Sequence, residues 1–559
     1  MITFLIRRQL QQAKSCTFPT EKSCEGHLFL IHSNTNILFL DSTSATDSGG
    51  CYCFRGGFRS HLIEVINFCF VSGLSCAFIM AHLLSNVKRR VAAVASNARM
   101  RYLSLVANSK TLEETIPDYR FLQYSSPEPR LVDHSPFLLF PQVCLSTLPN
   151  GIRVVTQSAP VTSSRMASIG VWIDAGSRFE APGTNGTAHF LEHMIFKGTA
   201  RRTAWSLEEE IENLGGRLNA YTSREQTTFF ADVQSKDIEV AVDVLADILQ
   251  NSRFPEHAIK RERGVILREM EEVQGQMEEV IFDHLHAAAF HEHPLGDSIL
   301  GPEENIQSIS RIDLLKYISS HYTCQRMVVS AAGAVKHDEI VNLVQSLFKK
   351  FSRDPTTADQ LVTAKPAIFT ACEVRVESEA MPQVHLAIAL KGVGWTDANS
   401  IPLCSELARQ VSMNGMAESM MAFNTNYRDI GLFGIYCTTR PDCLPELSRI
   451  VIQEIRRLAY QVSEEEVMRA RNQLKSCLLL HIDGSTAVAE NNGRQMLTYG
   501  RVVPFPELFA RIDAVDASTI KEMARMFIIN QGVAIAAMGP IRGLPEHGWF
   551  QSQLRDEHL

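Results

Sequence analysis

Residues 189–193 read His-Phe-Leu-Glu-His. Two imidazoles stand four positions apart, with a carboxylate just before the second. On a helix, His189 and His193 lie one turn apart on one face. There they can share one Zn2+, which favours nitrogen and sulfur donors. Glu192 sits on the adjoining surface and can take a proton from an attacking water. The order H-x-x-E-H is that of the inverzincins. A five-residue pattern with three fixed positions also arises by chance, as two surface histidines on a charged helix.

A zinc hydrolase needs a third protein ligand. The stretch 260–273, KRERGVILREMEEV, offers Glu262 and Glu269. Seven residues apart, they share one helical face; one can ligate while the other orients a ligand from behind it. The competing account is a solvated acidic face, and an internal repeat weighs against it. RMVVSAAGAV (326–335) resembles GVAIAAMGPI (532–541), and FPEHAIKRERGVILRE (254–269) matches VSEEEVMRARNQLKSC (462–477). The offsets are 206 and 208 residues, so two halves share one fold. In the second copy Glu262 becomes Ala470, Glu269 becomes Cys477, and no H-x-x-E-H occurs. The acids are present only where the histidines are.

HFLEH, with Glu269 following 76 residues after His193 and Glu262 seven before that, resembles the M16 (pitrilysin/insulinase-type) metallopeptidases. The resemblance runs from about 145 to 559 and includes GGRLNAYTSREQTTFFADV, HYTCQRMVVSAAGAVKH, AESMMAFNTNYRDIGLFGIY and RQMLTYGR. Within the family it is similar to the branch that trims imported mitochondrial precursors. The resemblance implies that His189, His193 and Glu269 bind one Zn2+, that Glu192 activates water, and that Glu262 supports the site. It implies a basic presequence as substrate, with an arginine close before the cut. Glu279 and Asp283 stand where the branch places its arginine pocket, which clustered carboxylates can build; spaced four apart, they also suit a solvated helix face. Phe196 matches the pocket for the residue after the cut, with helix packing as its alternative. Asn219 and Ala220 would lie on a strand edge that pairs with the peptide main chain. Arg494 and Tyr499 would touch substrate from the second half, or pack between the halves. The branch's glycine-rich loop is absent, so an α-type partner subunit carrying it is expected. Family members also serve as core subunits of the cytochrome bc1 complex or as stand-alone oligopeptidases, and both are rival expectations.

These residues need a scaffold. A chain of 559 residues exceeds a single core. At 45% hydrophobic and 21% charged it has an ordinary globular composition, and a net charge of -8 speaks against a nucleic-acid partner. The 13 cysteines show no CxxC spacing and no disulfide framework. SLEEEIENLG reads as a helix capped by Ser206, KDIEVAVDVLADILQ has helical period, and MASIGVWIDAG and RLNAYTSREQTTFFADV read as strands. The fold expected is α+β, in two homologous halves, each an α/β sandwich with a largely antiparallel sheet covered by helices. The catalytic half spans 140–351, a polar linker 352–365, and an inactive half 366–559. The connection around 396–415 looks short by about a dozen residues.

Residues 80–110 carry six Lys/Arg and no acid, as a mitochondrial presequence does. A presequence-like segment is therefore set at 80–125, beginning with Met80. Residues 1–79 are read as an extension outside the core, including the uncharged run 65–81, which sits at the lower length limit for a membrane span and contains Asn67 and Gly73. The expected location is the mitochondrial matrix or the matrix face of the inner membrane.

Overall fold

The computed structural model describes residues 141–159, 165–395 and 416–556. The extension, the presequence-like segment, the run 65–81 and the short connection 396–415 lie outside the described residues.

Alternating apolar stretches form two sheets. In the first half, β1 (Val143–Thr147), β2 (Arg153–Ser158), β3 (Met166–Ile173), β4 (Arg217–Thr222), β5 (Thr227–Gln234) and β6 (Met327–Gly333) pair in the order β1-β2-β6-β3-β5-β4. In the second, β7 (Glu373–Glu377), β8 (Val384–Gly392), β9 (Ser419–Asn426), β10 (Gly431–Thr439) and β11 (Val533–Gly539) pair in the order β7-β11-β8-β10-β9. Each sheet has one parallel pair, β2 with β6 and β7 with β11; all other neighbours are antiparallel. Without β1 the two orders coincide, so the repeat read from sequence is a repeat of topology.

The glycines that marked the repeat have a shared physical cause. Gly333 and Gly539 end equivalent strands at φ 97° and 116°. A Cβ there would lie 2.5 Å from the Met166 carbonyl oxygen in one half and 2.4 Å from the Gln383 carbonyl oxygen in the other. Only glycine fits both the backbone angle and the close approach.

The central strands of both sheets are buried on both faces, and the helices that cover them come from both halves. Helices α1 (Thr187–Met194), α2 (Ala204–Asn213), α3 (Ile238–Asn251), α4 (Glu256–Gln274) and α5 (Met277–Ala289) belong to the first half; α6 (Glu464–His481) and α7 (Ser485–Thr498) belong to the second. The cap of α2 corrects the sequence reading. Thr203, not Ser206, caps it, its side chain accepting from the Ser206 N–H at 3.0 Å. Threonine caps nearly as well as serine, and the helix gains almost a turn.

One face of the first sheet, through Ile169, Val171, Val329 and Ala331, packs on the first half's own helices. The opposite face, through Val155, Trp172, Val328 and Ala332, packs against Ala489, Met496 and Leu497 of α7, from the second half. The reverse holds for the second sheet. Ala387, Ala389, Ala534 and Ala536 pack against Ile281, Leu285, Ala288 and Ala289 of α5, from the first half. Helices α5 and α7 start at Met277 and Ser485, 208 residues apart, so each half lends the same helix to the other. Gly493 lets α7 approach, since a Cβ there would lie 2.4 Å from Trp172 Cδ2.

An ionic network, buried at Arg178, Arg428 and Asp174 and reaching solvent at Asp359, joins the halves. Arg178 donates to Glu225 at 2.7 Å and to both carboxylate oxygens of Asp429 at 2.7 and 2.8 Å. Arg428 donates to Asp174 at 2.7 Å and to Asp359 at 2.6 Å. Asp359 lies on a short helix, Ala358–Ala364, so the linker between the halves is itself structured and anchored. Among the described residues no helix is long and apolar enough to cross a membrane.

Candidate active site

Helix α1 carries His189, Glu192 and His193; α4 carries Glu262 and Glu269. Both helices read as such in the sequence, and their packing brings the two motifs together. Glu269 Oε2 lies 3.1 Å from His193 Nε2 and 3.8 Å from His189 Nε2. The donor atoms of His189, His193 and Glu269 all lie within 4.8 Å of one another. Two atoms each about 2.1 Å from a common ion can be at most about 4.2 Å apart, and both separations from Glu269 satisfy this. Two imidazole nitrogens and one carboxylate oxygen fit a divalent transition metal. Glu192 is half-buried on the same helix.

The electrostatics differ between the two histidines. Burial, helped by the charge on His193 and opposed by Glu269, pushes His189 down to about 4, so it stays a neutral donor. Burial also works against a charge on His193, but the hydrogen bond and charge of Glu269, with Glu192 and Glu262, outweigh it and raise its pKa. The pocket therefore favours positive charge beside His193.

Glu262 is almost fully buried. Its Oε2 lies 3.7 Å from His193 Nδ1, and its Oε1 lies 3.2 Å from Lys197 Nζ and 3.3 Å from Arg261 Nε. It thus sits behind His193, on the ring nitrogen that does not face Glu269, where such a carboxylate can fix a ligand's orientation.

Two residues that serve this geometry escaped sequence reading. Lys197, four residues after His193, grips Glu262. Glu180, nine residues before His189, is buried and accepts from the Ala188 N–H at 2.6 Å, the Gly186 N–H at 2.9 Å and Asn185 Nδ2 at 2.9 Å. The helix has no cap of its own, because Gly186 occupies the N-cap position. Glu180 satisfies its leading amides instead and so fixes the start of the helix that bears the histidines. Lys197, just past α1, meets Glu262 of α4, a contact that spacing along the chain does not reveal, and nothing in the sequence around Glu180 distinguished it from a surface acid.

The residues assigned to substrate lie in several settings. Strand β4, with Asn219 and Ala220, is the edge of its sheet, and Asn219 Oδ1 accepts from the Ala220 N–H at 2.9 Å. Phe196 packs partly buried against the first core, its ring 6.2 Å from that of Phe229. Glu279 and Asp283 are half-buried on α5; Asp283 Oδ1 accepts from Arg224 Nη2 at 2.8 Å. Arg494, on α7, lies 3.8 Å from Glu490, which also accepts from Tyr221 of β4 at 3.4 Å. Tyr499 ends α7, exposed, with its ring 6.2 Å from that of Trp395. The lent helix α7 thus brings second-half residues to the first half, and Asp283 of α5 is tied to the first sheet through Arg224.

The class follows from comparison with known families. Residues 153–303 match "Insulinase (Peptidase family M16)" and residues 308–474 match "Peptidase M16 inactive domain". The chain belongs to peptidase family M16 and is a metallopeptidase. It is 55% identical over 455 residues to the "Probable mitochondrial-processing peptidase subunit beta, mitochondrial" of Arabidopsis thaliana, covering 78% of this chain and 85% of that one. It is 45% identical over 441 residues to the Homo sapiens "Mitochondrial-processing peptidase subunit beta", covering 74% and 88%. Among solved structures, a chain of "Complex III2 from Candida albicans, Inz-5 bound" aligns with a TM-score of 0.64 at 22% identity, over 74% of this chain and all of that one. That last likeness speaks for the fold alone.

Proposed function

We propose that the chain is the zinc-dependent subunit of an endopeptidase that removes N-terminal presequences from imported mitochondrial precursors. One observation carries the reading: the donor set His189, His193 and Glu269 is spatially complete, in a chain 55% identical to a processing-peptidase β subunit. His189, His193 and Glu269 hold the Zn2+, which when bound supplies Lewis acidity at the scissile carbonyl. Glu192 takes the proton from the attacking water and returns it to the leaving amine. Glu262, held by Lys197, keeps His193 oriented. The open edge of β4, at Asn219 and Ala220, takes the peptide main chain, while Glu279 and Asp283 receive the arginine before the cut. Phe196 borders the site of the residue after the cut, and Arg494 and Tyr499 contact the peptide from α7. An α-type subunit with a glycine-rich loop is the partner, and the mitochondrial matrix or the matrix face of the inner membrane is the location. The presequence-like segment 80–125, starting at Met80, is the chain's own import signal.

A core-subunit role in a cytochrome bc1 complex is compatible with the same fold. A purely structural role would not require Glu192 and three metal donors to be kept together. The test is cleavage of a basic presequence peptide by the chain with and without the α-type subunit. Cleavage that needs the partner, stops on chelation and returns with Zn2+ supports the reading. Equal activity without the partner identifies an oligopeptidase, and no activity under any condition identifies a structural subunit.

A further inference from the structure

Arg224 lies in the turn between β4 and β5, two residues beyond the end of β4. The turn is closed by Ser223, whose N–H donates to the Gln226 carbonyl at 2.8 Å and whose hydroxyl accepts from the Gln226 N–H at 3.0 Å. The next residue, Glu225, is anchored by Arg178 and by the Arg428 N–H at 3.1 Å. Arg224 therefore projects from a turn held on both sides. Its guanidinium donates through Nη2 to Asp283 Oδ1 at 2.8 Å and through Nε to the Leu295 carbonyl at 3.0 Å. The Arg224 side chain is 10% exposed and that of Asp283 is 37% exposed, so Arg224 lies beneath Asp283 rather than in solvent.

This single side chain ties the strand that receives the peptide main chain to the helix that carries the acids. Arg224 stands four positions beyond Ala220, a span of about 13 Å at most when extended, and one charged hydrogen bond completes the link. We propose that Arg224 is a positioning residue for specificity: it fixes Asp283 relative to the β4 edge, and so sets how many residues separate the arginine that is read from the bond that is cut. The proposal rests on the reading of β4 and of Glu279 and Asp283 given above. Arg224 also shares the charge of Asp283 through Oδ1, which limits the carboxylate to an approach by one edge.

The test uses the chain with its α-type subunit and a basic presequence peptide in which the arginine is moved one residue at a time, plus a version with alanine instead. Cut positions are read by mass spectrometry, with kcat and KM for each peptide. The unaltered chain should cut at a fixed distance from the arginine. Arg224→Gln should spread the cuts over neighbouring bonds and reduce the preference for arginine over alanine about ten- to hundredfold, the range for one charged hydrogen bond. The alanine peptide should be cut at nearly the original kcat. Arg224→Lys, which keeps the charge but not the two-point grip, should restore preference more than register. Because Arg224 acts through Asp283, Arg224→Gln added to Asp283→Asn should cost little more than Asp283→Asn alone. Zinc content and melting temperature identify any variant that fails to fold, and Arg224→Lys then carries the comparison. If Arg224→Gln keeps the fixed distance and the preference while Glu279→Ala with Asp283→Ala loses them, the positioning role is wrong and the arginine pocket stands. If the unaltered chain shows no preference for arginine, the pocket reading fails and this inference with it.

Discussion

The two halves share strand order, the single parallel pair, the strand-end glycine and the lent helix, yet among the described residues only the first gathers a set of metal-donor side chains. The difference is local. Between β3 and β4, Ile173 and Arg217 are separated by 43 residues, which include α1 and α2; between β8 and β9, Gly392 and Ser419 are separated by 26. On the matching helices, Ala258, Ile259, Glu262 and Ile266 of α4 are buried, whereas Val467 alone is buried among the described residues of α6. The shared scaffold is therefore indifferent to chemistry. The candidate metal site draws on α1, on the buried face of α4 that receives it, and on Glu180, which fixes where α1 begins.

The largest test of that contrast is chemical. Glu192→Gln should retain zinc and lose about 10²–10⁴-fold in cleavage rate, while His189→Ala or Glu269→Gln should lose the metal as well, as read by metal analysis. Placing glutamates in the second half, Ala470→Glu with Cys477→Glu, should leave stoichiometry at one metal per chain, because no histidine pair lies there. Two metals per chain would mean that the scaffold, not α1, makes the site.

Next comes the reciprocity of the lent helices. Leu285→Ala on α5 and Met496→Ala on α7 each remove buried contacts with the opposite sheet and should each cost about 2–5 kcal/mol. Denaturant unfolding should show one transition moved by either change. Two transitions, each moved by one variant, would show that the halves are independent.

A smaller effect concerns pH. Burial raises the Glu180 carboxyl from 4.5 to about 7, against its hydrogen bonds from Ala188, Gly186 and Asn185. The folded chain then holds this proton more tightly than the unfolded chain does. Its contribution to stability is full below the unfolded value and is lost as pH rises through about 7. Glu180→Gln should flatten the melting temperature between about pH 5 and 8, measured on metal-free protein, and should weaken zinc binding. An unchanged pH profile would remove Glu180 from this role. The smallest effect is expected from Arg494→Ala, whose half-buried, 3.8 Å pair with Glu490 contributes about 0–1 kcal/mol to stability; any change beyond that should appear as KM for the peptide.

Much of this was legible from residue order because it is local. The spacing in HFLEH and the seven-residue step from Glu262 to Glu269 are properties of single helices, and the repeat offset is a property of the chain. What was not legible depends on where distant segments meet. Glu180 became a cap only because its carboxylate turns back on Gly186 and Ala188. Asp283 reads as half of an acidic pair, and its bond to Arg224, 59 residues away, is visible only in the fold. The small residues of α7, with Gly493 and Ala489, look like a weak helix on their own and make sense only against Trp172.

The lent helix also sets a timetable. Gly333 ends the first sheet, and Ser485 begins the helix that covers its outer face, with 151 residues between them. The proposed import signal delivers the chain N-terminal side first, so the first sheet arrives well before the helix that covers it. Throughout that interval Val155, Trp172, Val328 and Ala332 form an apolar surface with no cover from α7, although both stretches that carry the candidate metal donors are already present. The first half therefore reaches its finished form only when the second half is nearly complete.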